Sequence, residues 1–312
     1  MPEQARAGDR LHDPLAAHVP AVSAVESSDP PLSVLVSGAS SQLGHALLPM
    51  LRAGGHRVHA LSRDAHAGDD RVHWHRVDLT RGWPERLPVC DVLVSFGPLQ
   101  ALAEALAGLD AAPCARLVAT SSMSAESKRV SPVAAERALA AALRAAESAL
   151  IDQCTRLGIG WTLLRPTMIW GVGRDRNLTP IARRALRLPV FPYPLGHGLR
   201  QPVHAEDVAT AAWRAARAPA VAGRIIEIGG GEALTVSEMF RRVHASLPGR
   251  RFRMPIPGVV MRLAAALSPG LRGFVSRIDQ DLLADNRALT TLLGLQPRGF
   301  APSAGNWRAT DA

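Results

Sequence analysis

The chain has 312 residues, 47% of them hydrophobic and 20% charged, which is enough apolar mass for a sizeable core and argues against wholesale disorder. Lys+Arg total 36 against 27 Asp+Glu, a net charge of 36 − 27 = +9. A single lysine, Lys128, and a single tyrosine, Tyr193, occur, so 36 − 1 = 35 of the bases are arginines, and no mechanism that needs a Tyr and a Lys four positions apart on one helix is available.

The arginines are scattered, with pairs such as Arg183-Arg184, Arg241-Arg242 and Arg250-Arg251 but no run of five or six. Six Phe and one Tyr leave few rings to stack on bases, so nucleic acid is not an expected partner. Cys90, Cys114 and Cys154 are odd in number and in no CxxC arrangement, which argues against a disulfide framework or a zinc site. No stretch of about 18 apolar residues predicts a transmembrane helix. The N-terminus lacks an apolar signal core and carries Glu3, Asp9 and Asp13, so the expected location is the cytoplasm.

In chain order, residues 1–31 mix Ala, His, Pro, Ser and acids without a period and read as a mobile leader. From Leu32, β-rich runs alternate with helical patterns. Strands are predicted at Leu32–Val36, Arg57–Leu61, Val72–Val77, Asp91–Phe96, Arg116–Ser121, Gly160–Arg165 and Arg224–Ile228. Most are continuously apolar, as strands covered on both faces are. Helices are predicted at Gln42–Ala53, Leu99–Leu109, Val133–Leu157 and Ala205–Ala216. This alternation implies βαβ units: an α/β, Rossmann-type doubly wound parallel sheet whose ligands bind beyond the C-terminal strand ends. Its core is expected over 32–169, with 204–228 returning to it. The proline-punctuated stretches 170–203 and 229–301 read as a smaller, irregular C-terminal lobe for substrate. Gly299–Ala312 reads as a loose tail, 302–312 lying beyond that lobe.

The strongest local signal is the segment from Val34 to His45, where a strand runs into Gly38 and a helix starts near Ser41. Gly38 allows a tight turn, Gly44 lets helix and strand pack closely, and the free amides at the helix start face a pyrophosphate. Ser41 stands at the middle glycine position; its hydroxyl can donate to a phosphate, while its Cβ narrows the approach. The second strand ends at Ser62-Arg63 where an NAD site usually has an acid, so a 2′-phosphate partner and NADP are favoured over NAD, with Asp64 the counter-candidate. Asp78-Leu79 follows the third strand, where the carboxylate either accepts from the adenine amino group or caps a helix.

These residues resemble the short-chain dehydrogenase/reductase superfamily in its extended NAD-dependent epimerase/dehydratase branch. The resemblance runs from Leu32 to about Pro302. Ser37-Gly38-Ala39-Ser40-Ser41-Gln42-Leu43-Gly44 is similar to that branch's glycine loop with the central glycine lost, which implies cofactor contacts from Gly38, Ser40, Ser41, Gln42, Leu43 and Gly44. Leu117–Ser122 is similar to the strand that delivers its catalytic serine, here Ser122. The segment Trp161–Gly171 is similar to the strand and loop that pass the nicotinamide, with Pro166 within it. Gln201–Val208, Ile228–Thr235, Asp285-Asn286 and Leu293–Pro297 are similar to later family landmarks.

One departure matters for the chemistry. Counting back from Glu147, the family's Tyr-x-x-x-Lys positions hold Leu139 and Leu143, which can neither carry a proton nor hold a ribose. Without that relay, the candidates for acid or polarising cation lie near Ser122: Ser121, Ser124, Glu126, Lys128 and Arg129. Lys128 is either such a cation or an exposed loop lysine. Arg165 reaches either a substrate anion or a carboxylate of the second lobe. His204 and Asp207 read as a junction clasp at a helix start rather than an acid/base pair. Trp74 and Trp170 read as packing residues, and His73 and His75 lack an evident third metal ligand, so no metal is expected. The chain is thus expected to be an NADP-dependent, atypical oxidoreductase acting on a small molecule, as monomer, homodimer or larger assembly. A non-catalytic cofactor-binding sensor or accessory subunit is the alternative.

Overall fold

The computed structural model describes residues 30–249 and 251–308; nearly all of the expected leader lies outside them. The first strand, β1 (Ser33–Ser37), leads into α1 (Gln42–Ala53), and β2 (Arg57–Ser62) and β3 (Val72–Arg76) follow. Then come β4 (Cys90–Ser95), α2 (Leu99–Ala107), β5 (Cys114–Thr120), the short α3 (Ser124–Ser127), the long α4 (Ala134–Leu157) and β6 (Gly160–Pro166). A two-residue strand, β7 (Ile169–Trp170), precedes α5 (Leu178–Ala185) and β8 (Val190–Pro194). Two short strands, β9 (Leu199–Arg200) and β10 (Val203–His204), lead to α6 (Ala205–Arg217) and β11 (Arg224–Ile228).

Seven strands form one sheet in the order β11-β6-β5-β4-β1-β2-β3, all parallel. The order reverses at β1/β4, so a crevice opens at the C-terminal ends of those two strands, where sheets of this class bind ligands. The strands are near-continuous Val, Leu and Ile because both faces are covered. On one side α1 and α6 bury Leu47, Leu51, Val208 and Ala212 against Val34, Val36 and Val94. On the other, α2 and α4 bury Leu102, Leu106 and Leu150 against Leu35, Leu93 and Leu117. Cys90, Cys114 and Cys154 lie within this second layer, and burial pushes the Cys114 and Cys154 thiols up to about 12, so they are inert apolar fillers.

Beyond β11, the chain that reads as irregular in sequence is mostly short regular elements. They are β12 (Leu234–Thr235), α7 (Val236–Ala245), β13 (Phe252–Ile256), α8 (Gly258–Leu267), α9 (Pro269–Ser276) and α10 (Arg287–Leu293). None exceeds ten residues, too short for periodicity to stand out, and prolines interrupt the pattern. The parallel pair β8·β13 even contains Pro192, Pro194 and Pro255, which a two-stranded sheet tolerates because each strand has a free edge. A third hydrophobic cluster, with Trp170, Phe191, Met239 and Phe300, holds this part together.

The expected loose tail is corrected over its described part. Phe300 and Trp307 are fully buried, Trp307 donates from its indole nitrogen to Ser246 Oγ (2.8 Å), and Arg183 donates to the Trp307 carbonyl (2.9 Å). Burial of two large rings outweighs the polar composition that made the segment read as a tail. Trp307→Ala is expected to cost about 3–5 kcal/mol, read as a lowered urea midpoint with an unchanged m-value; an unshifted midpoint would show that this anchor carries no stability.

Candidate active site

The turn after β1 is set by two glycines. Gly38 has φ +69°, and a Cβ there would lie 2.9 Å from the Gly97 nitrogen in the loop after β4. At Gly44 a Cβ would lie 2.0 Å from the Ala39 carbonyl oxygen, so the first turn of α1 presses on the loop more closely than any side chain allows. Ser41 is the N-cap, and its hydroxyl accepts from the Gly44 amide (3.3 Å). The hydroxyl read as a possible phosphate donor is thus already engaged as an acceptor, although its proton stays free to donate. Among the described residues nothing accepts from the Gln42 or Leu43 amides at the start of α1.

The end of β2 closes one side. Ser62 Oγ donates to Ser40 Oγ (3.2 Å), accepts from the Asp64 amide (3.1 Å), and lies 3.1 Å from His66 Nε2. His66, which the sequence reading passed over, stacks on Trp74 with ring centroids 4.1 Å apart. Asp64 is exposed and points its amide, not its carboxylate, into this network. Arg63 lines a second cleft with Arg76, Asp78 and Arg81. Asp78 caps the turn Leu79–Arg81, accepting from the Thr80 amide (3.1 Å) and hydroxyl (2.8 Å); these bonds hold its carboxyl below the usual range. The capping geometry is therefore present at Asp78, with Leu79 packed against the α2/α4 layer.

The main cavity, about 540 Å³, lies past the ends of β5 and β6 and is lined by Gln42, Ser121, Ser122, Lys128, Pro166 and Arg277 among others. That is within the range of small-molecule sites. Gln42 Oε1 is buried there without a hydrogen-bond partner. Ser122 Oγ accepts from the Ser124 amide (3.1 Å), fixing the start of the loop. Lys128 is mostly buried, its side chain 18% exposed, and its Nζ lies 3.7 Å from Glu136 Oε1, so the exposed-loop reading is corrected. Glu136 in turn accepts from Ser131 Oγ (2.7 Å) and Arg277 (2.5 Å). Arg277 comes from beyond α9 in the chain, a contribution that sequence spacing gives no way to find.

Behind this wall, Arg165 grips Glu147 with two bonds, Nε to Oε1 (2.9 Å) and Nη2 to Oε2 (2.5 Å), and reaches Glu126 (3.0 Å). Its carboxylate partners come from α4 and α3, not from the C-terminal lobe as the sequence suggested. Burial pushes the Glu147 carboxyl up, but the Arg165 hydrogen bonds, the Ser121 hydroxyl and the Arg165 charge outweigh it, leaving the group below its ordinary value. Leu139 is 44% exposed on α4, and neither it nor Leu143 lines the cavity.

At the far end, His204 caps α6 and Asp207 accepts from the Arg298 amide (2.9 Å) and Nε (3.0 Å), the clasp expected. Burial and the nearby Arg298 charge lower the His204 imidazole. His73 and His75 meet His59 across β2 and β3, with His59 Nδ1 3.0 Å from His75 Nε2. Among the described residues no group of His, Cys, Asp or Glu is arranged to hold a metal, and no helix is long and apolar enough to cross a membrane.

Glu147 stabilises the fold above its unfolded pKa of about 4.3, and this is lost as pH falls through its lower folded value. Below about pH 4.3, the wild type is expected to lose urea stability more steeply than Glu147→Gln. Arg165→Ala, which leaves a buried unpaired carboxylate, is expected to cost about 3–5 kcal/mol at neutral pH. Parallel acid limbs for wild type and Glu147→Gln would refute the assignment.

Residues 100–229 match the model of the NAD dependent epimerase/dehydratase family; the match begins downstream of the glycine turn. No curated protein sequence matches the chain. Among solved structures, UDP-glucuronic acid 4-epimerase from Bacillus cereus in complex with NAD is 13% identical over 89% of this chain and 94% of that one, with a TM-score of 0.64. MoeE5 in complex with UDP-glucose and NAD is 20% identical over 85% of this chain and 93% of that one, with a TM-score of 0.65. UDP-N-acetylglucosamine 4-epimerase from Bacillus cereus is 16% identical over 88% and 95%, with a TM-score of 0.64. The chain therefore has the fold these epimerases share and, over residues 100–229, the sequence pattern of the NAD dependent epimerase/dehydratase family.

Proposed function

We propose that the protein binds NADP(H) along the crevice between β1 and β4 and transfers hydride to or from a small carbonyl- or alcohol-bearing substrate, possessing no Tyr/Lys relay. The single observation that carries this reading is the glycine turn. A helix start held against its own loop by the Gly44–Ala39 contact, with two amides left without an acceptor, offers the charge a pyrophosphate needs. The residues fit the cofactor elsewhere too. The orphaned Gln42 Oε1 lies where a polar ligand would satisfy it. Pro166 would border the nicotinamide, while Asp78 and Leu79 would border the adenine.

NADP is preferred over NAD on charge. Arg63, Arg76 and Arg81 surround one cleft at the end of β2 and β3, and a ribose 2′-phosphate would find charge-assisted donors there. Ser40, Ser41, Leu43 and Ser62 would complete the polar cradle around the phosphates and ribose.

The bound nicotinamide supplies or accepts the hydride. Within the cavity Ser122 would donate a hydrogen bond to the substrate oxygen, and its accepted bond from Ser124 fixes the direction in which the hydroxyl points. Lys128 would deliver the proton that balances hydride addition to a carbonyl carbon, its ammonium placed by Glu136, which Arg277 holds from the other side. The substrate class that fits is one with sugar-nucleotide-like polarity, as the epimerase neighbours bind UDP sugars by their names. A second reading, a cofactor-binding sensor or accessory subunit, draws on Leu139 and Leu143 at the two positions where the family places its proton relay.

Fluorescence titration with NADPH and NADH tests the cofactor. Arg63→Asp is expected to weaken NADPH at least about tenfold, the loss of one charge-assisted contact plus repulsion, and to leave NADH nearly unchanged. Gly44→Ala should abolish binding of both. Unchanged NADPH affinity in Arg63→Asp would remove the 2′-phosphate assignment. With a substrate in hand from a carbonyl screen, Ser122→Ala and Lys128→Met should each lower turnover about 10²-fold or more without altering NADPH affinity; binding with no turnover on any substrate would favour the sensor.

A further inference from the structure

The net charge of +9 is not evenly distributed. Residues 176–205 contain five arginines and residues 239–278 contain eight, and neither stretch contains a single Asp or Glu. Together they hold 13 of the 36 bases and none of the 27 acids, so the rest of the chain carries 23 − 27 = −4. The whole basic surplus therefore lies in the part of the chain after β7.

The same stretches expose apolar side chains. On α8, Val259, Leu263 and Leu267 recur at i, i+4 and i+8, with Val260 beside them; they are 58%, 64%, 89% and 51% exposed. The opposite side of α8 buries Met261 and Ala265, so the helix is seated on the protein and still turns an apolar stripe outward. Arg262, exposed, flanks that stripe. Just before it, β13 places Phe252 and Met254 on one face by its period of two, Phe252 being 80% exposed. Phe252 donates its amide to the Pro189 carbonyl, and Arg251 donates to the carbonyls of Ala185 and Leu186, so the exposed Leu186 and Leu188 gather at that end of β13.

Arg241, Arg242 and Arg277 pair with Glu238, Glu232 and Glu136, but the exposed Arg253 and Arg262 stand among exposed leucine, valine and phenylalanine in a stretch, 252–267, that has no acid, the surface chemistry of an interfacial membrane contact. We propose that α8 and the outward face of β13 dock on an anionic lipid bilayer, the apolar side chains entering the headgroup–acyl boundary and the arginines pairing with lipid phosphates. Ten residues of helix rise about 15 Å, half the hydrocarbon thickness, so α8 lies on the membrane and does not span it. A second copy of the chain is a poor occupant, because Arg253 and Arg262 of the two copies would meet with no acid within 252–267 to pair them. A polynucleotide would use the arginines but leave the aliphatic stripe in water. The docked surface adjoins the main cavity: α9 packs on α8 and contributes Phe274 to the cavity wall.

The experiment is co-sedimentation of the full chain with phosphatidylcholine vesicles, with and without roughly a third phosphatidylglycerol. Partition onto the anionic vesicles is expected, falling as salt rises from ~0.1 M to ~1 M, with little partition onto neutral ones. Leu263→Asp/Leu267→Asp should weaken it at least about tenfold, and Arg253→Gln/Arg262→Gln about fivefold for each charge removed. Both pairs sit on exposed positions, and an unshifted circular-dichroism melt confirms that each variant is folded. No partition onto anionic vesicles overturns the proposal. So does partition that the leucine variant leaves intact, which would mean charge attraction alone. Equally fatal is a dimer in sedimentation velocity that the leucine variant returns to monomer without any lipid binding, which would make the patch a protein interface.

Discussion

Everything in the site hangs on one close approach. The Gly44 Cα rests so near the Ala39 carbonyl that a methyl group could not be inserted. Because α1 is held there, its opening amides project into the gap where β1 and β4 part, and its Ser41 cap leaves two of them open. A positive helix end facing a crevice at the sheet's switch point is an electrostatic consequence of that contact and needs no charged side chain. The arginines around Arg63 line one cleft by the ends of β2 and β3, and a separate cavity lies past the ends of β5 and β6.

A second constraint shapes the far half. Arg165 and Glu147 are both mostly buried, and each would be costly alone; the bidentate pair offsets their desolvation and fixes β6 against α4. This strut sits directly behind Ser121 and Ser122. Its role is mechanical and electrostatic, a rigid backing that keeps two serines and a single lysine facing one cavity. Leu139 and Leu143 stand on α4 outside the cavity, whose polar lining includes Ser122 and Lys128 from the loop after β5 and Arg277.

Much of the frame was legible in the residues. Continuously apolar strands such as Leu117–Ala119 and Leu163–Leu164, alternating with helices of 9 to 24 residues, point to a parallel sheet without any tertiary knowledge, and the observed bounds differ from the expected ones by a residue or two. Gly38 and Gly44 were legible for the same reason: glycine at a strand–helix turn has few other uses. Less visible were Trp307, read as tail because its neighbours are polar, and His66, whose place beside Ser62 depends on a loop folding back onto β3. Of the two partners read for Arg165, a substrate anion or a second-lobe carboxylate, neither is Glu147 or Glu126, since a guanidinium's reach is not encoded in chain order.

What the sequence determined by itself was the local and periodic: strand and helix character, the two obligatory glycines, the absence of a Tyr/Lys pair, and the two arginine-rich stretches without acids, 176–205 and 239–278. What only the tertiary structure decided was convergence. Glu136 meets both Lys128 and Arg277, the latter 141 residues away in the chain, and no local pattern specifies that contact. Likewise only the fold leaves the leucines of α8 outward, since hydrophobic periodicity records which residues share a face but not whether anything covers it.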